Sequence, residues 1–298
     1  MTAACLLCGR YAPLRFWAGE YAIHRCARCD FEFVFPPPPP TAIARVYQSG
    51  YFSGEGHGYA DYFERERRTN RRKAEHRLDR LTDLGLRRGA RLLDVGCADG
   101  TFIEVALDRG FEAYGIEVSS EALTRLSRPI QARVYPSFGA ASGAPYDAVT
   151  MWDVLEHLTA PVASLREAVS LMREDALLGI VVPVIDNFNA RYWPRTWDQY
   201  KPPEHLSFFS CNSLRALFER EVGEVLLEES AWRRESRFLD VAAHSPKGLR
   251  ALAAADAFLM RALVGCGLVP EAWTEDSVAL YVRRRWSEPR APRPAASR

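Results

Sequence analysis

The sequence predicts an α/β protein: a doubly wound, mainly parallel sheet preceded by a small N-terminal ribbon held by metal. Three observations carry this. Short apolar runs alternate with amphipathic stretches along most of the chain, the pattern of βα units that cover both faces of a parallel sheet. One such run, Leu92-Leu93-Asp94-Val95, stops at Gly96-Cys97-Ala98-Asp99-Gly100 and passes directly into a helical stretch. Two Cys-x-x-Cys pairs stand near the N-terminus.

Those pairs, Cys5/Cys8 and Cys26/Cys29, are separated by 17 residues. Each offers two thiolates from one tight turn, and four thiolates complete a tetrahedral zinc shell. With every position taken by cysteine, no place remains for a catalytic water, so the expected Zn2+ is structural. Disulfides do not suit a reducing compartment, and a redox pair needs only one such motif. Phe16, Trp17, Tyr21 and Ile23 supply apolar surface for a small hairpin around the metal. Cys97, Cys211 and Cys266 stand alone and read as small buried side chains.

Pro36 to Pro40 predicts a stiff, extended spacer that closes the ribbon. Residues 41–62 carry Tyr47, Tyr51, Phe52, Tyr59 and Tyr62 among glycines; a lid over a ligand and a packed loop are both open. Residues 61–84 read as a long polar helix whose arginines alternate with glutamates, a solvated face more than a nucleic-acid patch. Strands follow at Leu92–Val95, Phe111–Val118, Ala132–Tyr135, Tyr146–Trp152 and Ala176–Val184, then at Glu224–Trp232 and Ser277–Arg285. Helices are expected over Thr101–Asp108, from the cap Ser119 through Arg128, after Pro161, around Leu214–Phe218 and over Leu249–Val264. The expected organisation is a zinc ribbon over 1–35, a proline-rich linker and aromatic lid over 36–60, the α/β domain over 61–286 and a disordered tail over 287–298.

Composition bounds the partners. A chain of 298 residues with 48% hydrophobic and 26% charged residues is ordinary for a globular protein. A net charge of +1 argues against a strong polyanion partner. No secretion signal or membrane span is visible, so the chain reads as cytoplasmic; Leu252 to Val269, broken by Asp256 and Arg261, leaves contact with a membrane surface open. Oligomeric state is not readable.

The glycine loop carries the chemistry. Two glycines this close let backbone approach a ligand with no Cβ in the way, and strand, glycine turn, helix is the first unit of a nucleotide site. Glu117, 23 residues after Asp94, ends the next strand, where a carboxylate accepts both hydroxyls of a ribose. A dinucleotide fingerprint needs a middle glycine for the pyrophosphate; here Ala98 holds that position, and Asp94 and Asp99 would repel phosphate. A cationic nucleoside without phosphate fits better.

At this point Leu93-Asp94-Val95-Gly96-Cys97-Ala98-Asp99-Gly100 resembles the first motif of class I S-adenosyl-L-methionine (SAM)-dependent methyltransferases. Asp147 to Leu158 resembles their fourth-strand stretch, and Pro203-Glu204-His205-Leu206-Ser207-Phe208-Phe209-Ser210 a segment over the acceptor. The resemblance covers about residues 61–286. It implies a Rossmann-like fold and a SAM site of Asp94, Gly96, Cys97, Gly100, Glu117, Val118, Trp152 and His157, with Trp152 beside the adenine or the sulfur. One departure is that Tyr135-Pro136-Ser137-Phe138 offers no acidic residue for the adenine amine.

Between Val184 and Ser210 the chain carries Phe188, Tyr192, Trp193, Trp197, Tyr200, Phe208 and Phe209, an aromatic wall suited to a small ligand or a sugar face. His205 is the side chain best placed to take a proton near neutral pH; a loop strap is the other reading. Glu204-His205 is similar to a Glu-His pair of zinc-ribbon sugar C-methyltransferases, which implies a catalytic role for both. Those proteins are longer and carry tyrosine where Pro202 stands. The expected activity is methyl transfer from SAM to a small-molecule or glycan acceptor. An RNA methyltransferase gripping RNA through the ribbon is the alternative, opposed by the few basic residues there (Arg10, Arg15, Arg25, Arg28). A non-catalytic SAM-binding subunit is a third.

Overall fold

The computed structural model describes residues 3–46, 67–233, 266 and 275–285. The N-terminal part is a set of short strands. β1 (Ala3–Ala4) pairs antiparallel with β2 (Tyr11–Ala12). β3 (Leu14–Ala18), β4 (Tyr21–Cys26) and β5 (Phe31–Val34) form an antiparallel meander. Pro40 does not extend a spacer but opens helix α1 (Pro40–Val46); proline lacks only an N–H that the first turn leaves unpaired anyway. The aromatic lid residues Tyr47 to Tyr62 lie outside the described residues, as do the expected helix over Leu249–Val264 and the tail.

Helix α2 (Arg67–Asp83) buries Ala74, Leu78 and Leu81 on one stripe; the earlier part of the predicted helix is outside the described residues. Its arginines do not simply face water. Arg67 reaches Glu104 at 3.3 Å, Arg71 reaches Asp108 at 2.8 Å and Arg80 reaches Glu229 at 3.0 Å. These pairs join the helix to its neighbours, each at the modest strength of an exposed ion pair.

The α/β part then runs β6 (Arg91–Val95), α3 (Thr101–Asp108), β7 (Glu112–Ile116), α4 (Ser120–Arg125), α5 (Arg128–Gln131), β8 (Val134–Tyr135) and β9 (Tyr146–Trp152). It continues with α6 (Pro161–Ser170), β10 (Met172–Pro183), α7 (Phe188–Tyr192), β11 (Ser207–Phe208), α8 (Cys211–Glu221), β12 (Gly223–Arg233) and β13 (Glu275–Arg284). The Ser119 hydroxyl accepts from the Ala122 amide as expected, but the helix stops at Arg125, because Leu126 and Ser127 turn extended (ψ 143 and 147). A separate helix begins at Arg128 with Pro129 in its first turn, where proline's missing N–H costs nothing. β10 begins earlier than predicted, at Met172, with a register shift before Leu177 that lets polar Arg173 to Asp175 bulge outward.

Seven strands lie in the order β12-β13-β10-β9-β6-β7-β8. All run parallel except β13, which is antiparallel to both neighbours. Ala176 to Pro183 is buried throughout, as a strand covered on both faces must be. Alternate residues serve the two faces: Leu93, Val149, Met151, Leu178 and Ile180 on one, Leu92, Ala148, Trp152, Leu177 and Val181 on the other.

The ribbon is not a separate bead. Phe31 and Phe33 belong to the first of those cores together with Phe209, and β11 adds itself to the ribbon's meander through Ser207↔Phe33 and Phe208↔Glu32. The next residue, Phe209, bridges to Val184 beside the large sheet. Of the lone cysteines, Cys97 is buried as expected, whereas Cys211 is half-buried and Cys266 is exposed. Among the described residues no helix is long and apolar enough to cross a membrane.

Gly179 sits in the middle of β10 because a Cβ there would stand 2.6 Å from Cη2 of the buried Trp152 ring. We expect Gly179→Ala to destabilise the chain by about 1–3 kcal/mol, the usual cost of overpacking a core. Urea unfolding reads this directly; an unchanged midpoint would mean the indole moves at no cost.

Candidate active site

The turn after β6 is left-handed at Gly96 (φ 72), Ala98 (φ 42) and Gly100 (φ 70). Space as well as conformation demands glycine: a Cβ on Gly96 would lie 2.6 Å from Val154 Cγ2, and one on Gly100 2.7 Å from Ile130 Cγ2. The Gly96 and Cys97 amides both donate to the Ile116 carbonyl, at 2.7 and 3.1 Å, which ties the loop to the end of β7. The Cys97 thiol is turned inward, so close to Gly115 that a Cβ there would lie 2.6 Å from its sulfur. Cys97 therefore offers a ligand its backbone, and burial pushes its thiol pKa well up.

Glu117 follows β7 and is buried. One carboxylate oxygen accepts from the Ala98 amide at 2.9 Å and the other from the Ser119 amide at 2.7 Å. Burial raises its pKa while these amides lower it. A carboxylate has about four lone-pair sites; with the Val118 amide also acting on it, room for a further donor remains. Val118 beside it is 76% exposed, an apolar rim next to an acid.

Asp94 is buried and accepts from the Thr150 hydroxyl at 2.6 Å. Burial pushes its pKa up to about 7, opposed by that hydrogen bond and by Arg77. Asp99, one residue before the helix cap Gly100, accepts from the Thr101 amide at 2.9 Å and from the Asn70 side-chain amide at 3.1 Å. Trp152, expected beside the adenine or sulfur, packs against Phe102 and Tyr281 with the Arg77 guanidinium 4.7 Å over its ring. Its indole nitrogen is buried with no hydrogen-bond partner among the described residues.

A second group lies where the 3₁₀ turn Leu155–His157 meets the segment before β11. The Leu206 amide donates to the Glu156 carbonyl at 2.8 Å. His157 Nδ1 lies 2.9 Å from the Glu204 carbonyl, and His205 Nδ1 3.1 Å from the Gln199 carbonyl. Carbonyls only accept, so each imidazole carries its proton on Nδ1 and keeps a lone pair on Nε2. The two rings meet edge to face with centroids 4.6 Å apart. His205 is only 3% exposed; burial, and after it His157 and Lys201, hold its pKa well below the usual value. Glu204 is also buried and paired with Lys201 at 2.8 Å. Both residues singled out from the sequence thus lie inside, as part of one network.

Ligand atoms of Glu156, His157 and His205 all fall within 4.8 Å of one another. A carboxyl group buried beside two imidazoles favours the form in which it keeps its proton. Glu156 responds accordingly: burial, with Asp153 adding, drives its pKa well above the ordinary carboxylate range.

The four ribbon cysteines also converge, their sulfurs within 4.8 Å of one another and Cys8 and Cys26 3.6 Å apart. Four sulfurs at about 2.3 Å from one zinc stand about 3.8 Å from each other, so the donor set fits the ion. Burial raises the Cys5 thiol to about 11. For Cys8 burial also acts upward, but the Arg10 amide and the neighbouring sulfurs pull it down to about 7.

Sequence reasoning missed Thr150, Asn70, Arg77 and Glu156 as members of these networks. Only Glu156 carried a signal, its place immediately before His157. The other three lie on elements distant in sequence, and their roles arise from strand register and helix docking.

Residues 63–223 match the family described as "Methyltransferase domain". The chain is 36% identical over 107 residues to a ubiquinone biosynthesis O-methyltransferase of Aeromonas salmonicida, covering 33% of this chain and 45% of that protein. The identity to the protein of the same name in Xanthomonas campestris pv. campestris is 32% over 100 residues, covering 30% and 41%. The chain thus spans less than half the length of these curated relatives. One chain of the Haloferax volcanii complex between the Trm112 methyltransferase activator and a methyltransferase superposes with a TM-score of 0.54 at 12% identity, covering 82% of this chain and 98% of that one. A structure described as a sarcosine dimethylglycine methyltransferase from Galdieria sulphuraria gives 0.51 at 15% identity, covering 76% and 91%. At such identities the likeness is one of fold.

The pKa of Glu156 yields a test. Since the folded value lies above the unfolded one, about 4.3, the associated stability is intact at low pH and is lost as pH rises toward the folded value. We expect Glu156→Gln to remove that loss, so its urea midpoint should fall less than wild type's between about pH 5 and about pH 8. Equal slopes would show that Glu156 is ionised and compensated in the folded chain.

Proposed function

The chain belongs to the methyltransferase-domain family, and we propose that it transfers a methyl group from SAM to a small-molecule acceptor. The observation that carries this reading is the Gly96–Gly100 turn with Glu117 latched against it by the Ala98 amide. In this reading the turn admits a nucleoside at backbone distance, Glu117 takes the ribose hydroxyls and Val118 lies against the base. Asp94 and Asp99 supply negative charge toward a cationic ligand. Gly96, Cys97 and Gly100 contribute backbone, while Trp152 and His157 close the site behind. SAM, when bound, supplies a methyl group activated by its sulfonium charge.

The chain's own part is alignment and proton management. His205, neutral and with its proton on Nδ1, holds a lone pair on Nε2 that receives the acceptor's proton; Glu204 and Lys201 fix the segment that carries it. The names of the curated relatives, ubiquinone biosynthesis O-methyltransferases, support a small molecule as acceptor. A sugar is the narrower reading, supported by the aromatic insertion between Val184 and Ser210. The ribbon cysteines Cys5, Cys8, Cys26 and Cys29 hold a structural zinc with no open coordination position. The division at residues 35 and 61 and a cytoplasmic location belong to the same reading.

Incubation with SAM carrying an isotopic methyl group, followed by counting label in small-molecule, glycan, RNA and protein pools, tests the function. Label among small molecules is expected; label confined to RNA would replace the reading with its rival, and none anywhere would remove the activity. With the labelled acceptor in hand, His205→Ala should lower kcat at least about tenfold, the low end for a lost general base, at unchanged SAM affinity. Unchanged turnover would remove His205 from the mechanism.

The metal has its own check. Wild-type protein should carry about one zinc per chain by elemental analysis, and Cys26→Ser should lose most of it. Full zinc content in the variant would place the metal elsewhere.

A further inference from the structure

Glu32 lies on β5 of the ribbon and is fully buried, yet none of its partners belongs to the cysteine cluster. One carboxylate oxygen takes the Arg15 guanidinium, and the other accepts from the Tyr200 hydroxyl at 2.6 Å. Arg15 extends the clamp into the insertion before β11: it donates to the Tyr200 oxygen at 2.7 Å and to the Ala190 and Arg191 carbonyls at 2.8 and 3.2 Å. Another ribbon arginine, Arg25, stands 3.7 Å from the same carboxylate.

The clamp holds both ends of the segment that carries His205. Tyr200 follows Gln199, whose carbonyl sits 3.1 Å from His205 Nδ1 and so decides which imidazole nitrogen keeps the proton. At the other end Phe208 is the residue paired across the strands with Glu32 itself, and its ring meets the Tyr200 ring at 4.7 Å between centroids. Packing alone would be served by apolar residues, since replacing a buried ion pair by well-fitted hydrophobic side chains is often neutral or stabilising. What a carboxylate with two directed partners adds is register: it admits one placement of Tyr200 and Gln199, where apolar contact would admit several.

We propose that Glu32 is a positioning residue for the acceptor side of the site, acting through Tyr200 and the Gln199 carbonyl to set the tautomer and place of the His205 imidazole. This rests on the reading of His205 as the general base. The ribbon is then part of the site's machinery, reaching the reacting region by strand pairing and a buried ion pair instead of by contact with the acceptor.

The test compares full-length wild type with Glu32→Gln and Tyr200→Phe by NMR of 15N-labelled histidine, alongside SAM affinity, zinc content and steady-state kinetics on the labelled acceptor. We expect both variants to retain zinc and to bind SAM within about twofold of wild type. The His205 ring-nitrogen resonances should move off the Nδ1-protonated pattern, and kcat should fall at least about tenfold with little change in KM, the signature of misplacement without lost binding. Tyr200→Phe keeps the ring and removes only the hydroxyl, so it decides the matter if Glu32→Gln does not fold. Unmoved His205 resonances in the folded variants overturn the proposal. The spectra need no acceptor: if wild type transfers no methyl group, the activity fails while shifted resonances still show Glu32 setting His205.

Discussion

The constraint on which the rest of this structure depends is the satisfaction of one short run of backbone, Leu206 to Phe209. The Leu206 amide donates to the Glu156 carbonyl and its carbonyl accepts from the Val34 amide. Ser207 and Phe208 pair with the ribbon, and the Phe209 carbonyl accepts from the Ile185 amide. Buried polar backbone must find partners, and this segment finds them on three elements at once. It could not be released from one without exposing groups held by the others. Because Glu204 and His205 immediately precede it, their positions are set by the same bonds.

The two halves of the site handle charge differently. Around the glycine loop, Asp94, Asp99 and Glu117 are each met by hydroxyl or amide donors of the fold. That keeps buried carboxylates tolerable while leaving negative potential where a cation would lie. On the other side burial favours the neutral form of both histidines, whose Nδ1 atoms face backbone carbonyls. In the proposed function, the acids at one end would face a ligand that arrives positive and the neutral imidazoles an acceptor that loses a proton.

Burial has a further consequence for the ribbon. A chain segment this small rarely sustains itself on apolar packing alone. Here its cysteine cluster and its aromatic face are both used: Cys5, Leu7, Phe31 and Phe33 pack into the same core as Val149 and Leu178, and the Arg220 side chain donates to the Leu7 carbonyl at 2.9 Å. The large sheet is thereby covered on one side by a piece that precedes it in sequence.

What the sequence by itself determined was local. Apolar runs bounded by turn residues located the strands, because burial on both faces forces continuous hydrophobic stretches; Tyr146–Trp152 matches residue for residue. Gly96, Gly100 and Glu117 were legible because a left-handed turn and a strand-end carboxylate leave marks at fixed spacing, and the cysteine pairs because two tight turns that bring four sulfurs together do the same. Only the tertiary structure decided the pairing of β11 with the ribbon, the burial of His205 and Glu204, the inward turn of Trp152 and the clamp of Arg15, Glu32 and Tyr200. Each joins residues separated by long stretches of chain, and a hydrogen bond between Tyr200 and Glu32 leaves no periodicity at either position. Spacing records what a residue does with its neighbours in sequence; the partners it meets in space are set by how the sheets dock.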